Sequence, residues 1–332
     1  MIIISYLLLL LLNFYFLTFF IKIAKKKQIV AIGNNKNLHT GIIPRGAGIV
    51  FGVIYILCIV LASVEGYIIN DIFYPIVFAS VSCLILGFLD DIYDIKISVK
   101  FLSQLFIISS LMFYFYNPFL YENYFTLNFI FVMMLILFAI WMLNAYNFLD
   151  GADGHLTSVS CMQCLLIIVV LYINNKFELI IPAFVLLSLL LIFLKFNWSP
   201  AKVFMGDAGS LFIGINFIVY ILILLKLSLV SVYLIVIIFS YYLIDTFGTL
   251  ILRTALSKTW RNRHRSHPYQ NFSRIYSHEK MSKYVIIYHF IWLLPILILA
   301  NIFSNYEIYF CLIAIIPSII FLIKFGPIYS SE

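Results

Sequence analysis

Apolar stretches separated by short polar breaks run the whole length of the chain. A bilayer-crossing helix needs roughly 17 to 25 apolar residues. Eleven segments qualify, near 2–21, 46–64, 72–89, 101–117, 128–146, 156–173, 180–195, 209–226, 228–251, 284–303 and 308–325. The pattern predicts an all-α polytopic membrane protein with about eleven transmembrane helices. An odd number of spans puts the termini on opposite sides. Lys and Arg concentrate in the breaks after odd-numbered spans, and only Lys176 and Lys226 fall on the other side. The positive-inside rule then places the N-terminus outside and the C-terminus in the cytoplasm. The first span lacks a basic leader and a small-residue cleavage site, and Lys25, Lys26 and Lys27 follow it, so a retained helix is expected rather than a signal peptide.

Composition narrows the class further. With 64% hydrophobic and 11% charged residues and a mean hydropathy of +1.09, the chain is not a water-soluble globule. The net charge of +7 reads as a topology and lipid-headgroup signal, and no nucleic-acid partner is expected. One integral membrane domain over residues 1–332 is expected, with polar loops near 22–45, 90–100, 144–155, 196–210 and 252–283. All five cysteines fall inside the spans, where a thiol is an ordinary packing residue. Cys161 and Cys164 have CxxC spacing, but no other thiol pair or histidine is expected at their depth, so they are not read as a metal site.

The aspartates change the picture most. Apart from Asp71, they lie in breaks that the charge count assigns to the cytoplasmic side or, for Asp245, in a turn near the cytoplasmic end of the span near 228–251. In GFLDDIYDI, Asp90, Asp91 and Asp94 stand within five residues, and such a group repels itself unless a cation or the nearby Lys96 and Lys100 neutralise it. Short carboxylates of this kind suit a hard ion such as Mg2+. In NAYNFLDGADG, Asn144, Asn147, Asp150 and Asp153 recur every third residue, a spacing that stacks them on one helix face and predicts convergence on one point. FMGDAGS opens the eighth span, so its unpaired N–H groups are expected to favour a phosphate, with Asp207 binding a bridging metal and Phe204 offering a stacking face. The loop near 252–283 carries Arg261, Arg263, His264, Arg265 and His267, which suit a diphosphate and a sugar. The segment around His39, Pro44, Arg45, Gly46 and Gly48 reads alone only as a Gly/Pro turn, and His278 and His289 as structural residues.

Taken in order, PRGAG, GFLDD with SVK and FLSQ after it, NAYNFLDGADG, FMGDAGS and the His/Arg loop resemble the polyprenyl-phosphate N-acetylhexosamine-1-phosphate transferases of glycosyltransferase family 4. The resemblance implies an enzyme that moves a sugar-1-phosphate from a UDP-N-acetylhexosamine to undecaprenyl phosphate in the bacterial cytoplasmic membrane, releasing UMP on the cytoplasmic side. It implies Mg2+ as cofactor, with Mn2+ as an alternative ion, and it allows a homodimer. By motif position it implies Asp207 and Asn147 as metal ligands and Asp153 and Phe204 as the uridine pocket. It casts Asp90 and Asp91 as lipid-phosphate base, metal ligand or nucleophile, and we group Asp150 with them as catalytic candidates. Lys100 and Asn144 join the substrate-binding set, and Arg263, His264, Arg265 and His267 hold diphosphate and sugar. Asp94 stands where the peptidoglycan branch has Lys, and HRSHPYQ replaces that branch's histidine-dense loop. Both departures point to the branch that begins O-antigen or related surface glycans. The competing class is an ion- or proton-coupled transporter, whose acids would lie at mid-span. No expected span has an acid at its centre, and Asp245 is expected near a cytoplasmic end.

Overall fold

The computed structural model describes residues 2–26, 30–32, 42–116, 125–256 and 267–327. Ten helices among these are long and apolar enough to cross a membrane, and Gly48–Val64 is a shorter apolar helix. Each expected span has its helix. The chain runs α1 (Ile2–Lys26), α2 (Gly48–Val64), α3 (Asn70–Tyr93), α4 (Ile97–Phe115), α5 (Phe125–Leu149), α6 (His155–Ile173), α7 (Phe177–Asn197) and α8 (Gly206–Lys226). Then follow α9 (Val232–Leu243), a π turn at Ile244–Gly248, α10 (Thr249–Leu256), α11 (Pro268–Ile275), α12 (His278–Tyr288), a second π turn at His289–Leu293, α13 (Leu294–Ile302) and α14 (Glu307–Phe325). The one sheet among the described residues is an antiparallel ribbon of β1 (Val30–Ile32) and β2 (Ile42–Pro44), with Val30 opposite Pro44.

Helices extend into the polar breaks. Asp90 and Asp91 belong to the last turns of α3, Lys100 to the first turn of α4, and Asn144 and Asn147 to the end of α5. A helix keeps its own N–H and C=O groups bonded wherever water is scarce, so the backbone stays helical until Gly or an αL residue releases it. At the end of α3 that residue is Asp94, with φ 47°.

The helices group into two compact units, each described by itself. The first comprises Met1–Asp150, Ser188–Asn197 and Ala201–Leu229. Its centre is α8, buried at every position from Gly206 through Tyr220. A helix apolar all round belongs in an interior, and its polar residues then need partners. Asn216 finds them in Ser80 of α3, whose Oγ donates at 3.1 Å, and in the Phe212 carbonyl at 2.8 Å. Glycines let the backbones meet. A Cβ on Gly87 would strike the carbonyl of Asp207, and one on Gly48 the backbone of Gly209. Phe51, Phe193, Phe212 and Tyr55 interlock around this contact with ring centroids 5.2 to 5.9 Å apart.

The second unit comprises Gly151–Leu187, Trp198–Pro200 and Val230–Glu332. Its interior is more polar. His155 stacks on Tyr269 at 4.3 Å and pairs through Nε2 with the Tyr241 hydroxyl at 2.9 Å. Ser318 donates to the Tyr288 hydroxyl, which donates to the Ala314 carbonyl, both at 2.9 Å. The outer faces are apolar instead: Leu102 and Phe106 on α4, Phe131, Met134 and Phe138 on α5, and Ile308, Leu312, Ile316 and Ile320 on α14 are all exposed. Faces of this kind are covered by lipid rather than water. The protein is a multi-pass membrane protein.

Candidate active site

The first unit gathers its charge where α3 ends and α8 begins. At Gly206, φ is +71°, and a Cβ there would meet the Asp91 carboxylate. The bare position lets α8 start directly against α3. Asp91 uses this closeness: its Oδ1 accepts the Asp207 N–H at 2.9 Å and its Oδ2 the Ala208 N–H at 3.0 Å. The unpaired amides of the FMGDAGS helix start, expected to receive a phosphate, are therefore capped by the protein's own carboxylate. A helix N-terminus accepts any suitably placed anion, and here α3 supplies one.

Two cations complete the cluster. Lys100 donates to Asp90 Oδ2 at 2.7 Å and also to Asp207 Oδ2. Arg45 pairs through Nε with Asp91 Oδ1 at 3.0 Å and through Nη2 with Asp207 Oδ1 at 2.5 Å. Asp90 Oδ1 further accepts the Ile95 N–H at 3.0 Å. Burial works against the charge of Arg45, but the carboxylates of Asp91, Asp207 and Asp150 outweigh it and hold the guanidinium above its ordinary value. The self-repulsion expected of Asp90 and Asp91 is thus relieved by protein cations, and among the described residues no three His, Cys, Asp or Glu side chains form a ready metal cage.

The asparagine and aspartate series divides. Asn144 forms a reciprocal amide pair with Gln104 of α4, at 2.8 and 3.2 Å, and donates to the Ile140 carbonyl. Asn147 lies in the last turn of α5, half-buried, and the Asp150 N–H turns back to its carbonyl at 3.3 Å. The series does not continue to Asp153. Helix α5 stops at Leu149, a turn intervenes, and Asp153 belongs to the second unit. There the Asp153 N–H donates to His278 Nδ1 at 3.1 Å, its carboxylate lies 3.6 Å from the same nitrogen, and its carbonyl accepts from Ser282 at 3.1 Å. The four therefore do not lie along one continuous helix face, because the three-residue spacing shares a face only while the chain is helical.

In the second unit the π turn carries Asp245, almost wholly buried, with Oδ1 accepting the Tyr269 N–H at 3.2 Å and Oδ2 lying 3.3 Å from His267 Nδ1. The candidate span bearing it runs Val232–Ala255, and Asp245 lies near the middle of that helix, further from its end than the expected span 228–251 put it. Its partners come from the start of α11, where His267 precedes Pro268 and its N–H is taken by Gln270 at 3.4 Å. Phe204, half-buried, belongs to the first unit, where its backbone bonds to Pro44 and Ala47. Arg263, His264 and Arg265 lie outside the described residues.

Three participants were not legible as site residues. Arg45 belongs to PRGAG, which carries part of the resemblance but alone reads as a turn, and no role was expected of it. Gln104 was a polar residue within an apolar span. His278 carried no motif signal.

Aspartates interleaved with Arg and Lys at the ends of membrane helices define a multi-pass membrane protein with one charge-dense centre in its first unit. The chain matches the model of Glycosyl transferase family 4 over residues 73–226, which takes in Asp90 through Asp207 and leaves Arg45 and His267 outside. It belongs to that family. It is 31% identical over 245 residues to a probable undecaprenyl-phosphate N-acetylglucosaminyl 1-phosphate transferase of Bacillus subtilis (strain 168), covering 70% of this chain and 66% of that one. It is 32% identical over 219 residues to an undecaprenyl-phosphate alpha-N-acetylglucosaminyl 1-phosphate transferase of Escherichia coli O157:H7, covering 61% and 57%. A phospho-N-acetylmuramoyl-pentapeptide-transferase of Clostridium beijerinckii (strain ATCC 51743 / NCIMB 8052) is 33% identical over 152 residues, covering 46% and 45%. In each case the chain spans less than two thirds of the relative's length.

Proposed function

We propose that the protein transfers N-acetylhexosamine-1-phosphate from a UDP-sugar to undecaprenyl phosphate, giving undecaprenyl-diphospho-sugar and UMP at the cytoplasmic face of a bacterial membrane. The observation that carries this reading is the cluster of Asp90, Asp91 and Asp207 with Lys100 and Arg45 at the ends of apolar helices. The relatives' names supply the acceptor and the reaction type.

In the reaction an oxygen of the acceptor phosphate attacks the β-phosphorus of the UDP-sugar. The bond from that phosphorus to the bridging oxygen breaks, and UMP leaves with the electron pair. A phosphomonoester meeting a diphosphate concentrates negative charge, so the protein's task is positioning and charge compensation. Lys100 carries mobile donors for a phosphate oxygen. Asp91 accepts from two amides and pairs with Arg45, which suits a structural carboxylate. Asp90 is then the better placed of the pair to meet the acceptor phosphate. Asp150 stays with Asp90 among the catalytic candidates and Asn144 among the substrate-binding residues, while Asp153 and Phe204 are each expected to contact uridine, and Arg263, His264, Arg265 and His267 the diphosphate and sugar.

Mg2+ fits the donor chemistry. It needs only one or two carboxylates, because water and substrate phosphates fill the remaining positions. Asp207 offers hard oxygens, which Mg2+ would have to share with or take from Arg45 and Lys100, and Asn147 an amide oxygen within the same unit. When bound, the ion would neutralise charge on the diphosphate. The donor is expected to be UDP-GlcNAc, UDP-GalNAc or a 6-deoxy N-acetylhexosamine, for O-antigen or a related surface glycan.

The test is UMP release and lipid-linked product from purified protein given undecaprenyl phosphate, Mg2+ and a panel of UDP-N-acetyl sugars. Turnover with one donor is expected, lost on chelation and lowered at least ~100-fold in Asp207→Ala. Folded protein inactive with every donor would overturn the assignment.

A further inference from the structure

The geometry points to Arg45 as a positioning residue for the phosphoryl transfer, one that acts by holding Asp91 and Asp207 at a fixed separation. This inference rests on the proposed function and goes beyond it, since Arg45 lies outside the family match and reads in sequence as part of a turn.

The backbone around Arg45 is fastened on both sides to the strand of chain that leads into α8. The Phe204 N–H donates to the Pro44 carbonyl at 2.8 Å, the Ala47 N–H to the Phe204 carbonyl at 3.2 Å, and the Gly48 N–H to the Met205 carbonyl at 2.9 Å. Gly46 adopts φ +89°, a conformation that side-chain-bearing residues rarely take, with Asp91 alongside. Five consecutive residues, Pro44 to Gly48, thus run along the FMGDAGS start, and Arg45 leaves this rail directly beside the two carboxylates.

The guanidinium then spans them. Nε reaches Asp91 of α3 and Nη2 reaches Asp207 of α8, so one rigid fork joins two helices. A planar group with donors in fixed directions sets both distance and angle between its acceptors; an ammonium sets neither. Two carboxylates left face to face would repel, and one would swing away or take up a proton. Asp91 also clamps the first amides of α8, so a shift of Asp91 carries Asp207 with it. The Arg45 side chain is 42% exposed, so its attraction alone would contribute little to folding. Its bridging geometry is the feature that a merely stabilising surface pair would not need.

The test uses full-length protein with the donor that supports wild-type turnover, and compares Arg45→Lys, Arg45→Gln, Asp91→Asn and the double variant Arg45→Gln with Asp91→Asn. The two Arg45 single variants are checked for an unchanged monodisperse elution profile and unfolding midpoint, and the two variants carrying Asp91→Asn are assayed well below their own, lower midpoints. If Arg45 acts by bridging, Lys and Gln variants both lose kcat by about 100-fold, while KM for the UDP-sugar stays within about threefold. The double variant is then no worse than the poorer single variant, because both act through one unit. Near-wild-type kcat in Arg45→Lys overturns the proposal in favour of a charge effect. A raised KM with kcat kept overturns it in favour of direct phosphate binding. Multiplicative losses in the double variant overturn it too, as does a kcat loss that tracks unfolding. Wild-type protein inactive with every donor would remove the proposed function and this inference together, whereas active wild type with unaffected variants removes only the role of Arg45.

Discussion

Replacing Asp91 by Asn keeps the side chain's shape and removes its charge, at a position where 3% of the side chain is exposed and both oxygens accept amides from the first turn of α8. Asn has one acceptor oxygen, so one of those two N–H groups would face an NH2 group instead. Losing a charge-assisted hydrogen bond costs about 1.5–3 kcal/mol. Losing the anion at the helix start costs about 0.3–2 kcal/mol. The Arg45 pair adds about 0–1 kcal/mol, because Arg45 is exposed to solvent. Relief of the desolvation of a buried carboxylate opposes these losses, and a net destabilisation of about 2–4 kcal/mol remains. The assay is unfolding of purified protein in a fixed detergent and lipid mixture, followed by tryptophan fluorescence. Asp90→Asn is the comparison, since Asp90 is more exposed and accepts only one backbone amide among its described bonds. Asp91→Asn should be clearly the less stable of the two. A change of under about 0.5 kcal/mol, the range of an ordinary surface substitution, or a larger loss in Asp90→Asn, would refute the view that Asp91 caps α8.

Two further outcomes follow from packing and from the second unit. Gly87→Val would drive a side chain into the Asp207 carbonyl; the loss should exceed the usual ~1–3 kcal/mol of overpacking, because backbone rather than a flexible side chain must yield, and detergent extracts should show aggregated rather than monodisperse protein. Asp245→Leu leaves the buried Tyr269 N–H without its acceptor and should cost about 1–3 kcal/mol in unfolding measurements, while Asp245→Asn, which keeps an acceptor oxygen, should cost less; equal losses would show that the acceptor is unimportant.

Much of the architecture was legible because a bilayer leaves few choices. Every apolar run long enough to span became a helix. The motif aspartates were legible as chemistry because carboxylates at the ends of apolar spans are costly without a purpose. Their partners were less so. Asp90, Asp91, Lys100 and Asp207 were all named, yet the amides at the start of α8 were assigned to a phosphate when Asp91 occupies them. The regular spacing from Asn144 to Asp153 promised a common face that ends with the helix at Leu149.

What the sequence alone determined, then, is the order of helices, the membrane setting and the identity of the acidic motifs, all properties of local composition and period. Tertiary structure decided which charge answers which. Arg45 meets Asp91 and Asp207 across intervals of 46 and 162 residues, through contacts that exist because Gly48, Gly87 and Gly206 let three backbones approach. No local pattern encodes such a pairing. An ion pair depends on separations of a few ångströms in space, and only the packing of α2, α3 and α8 sets those.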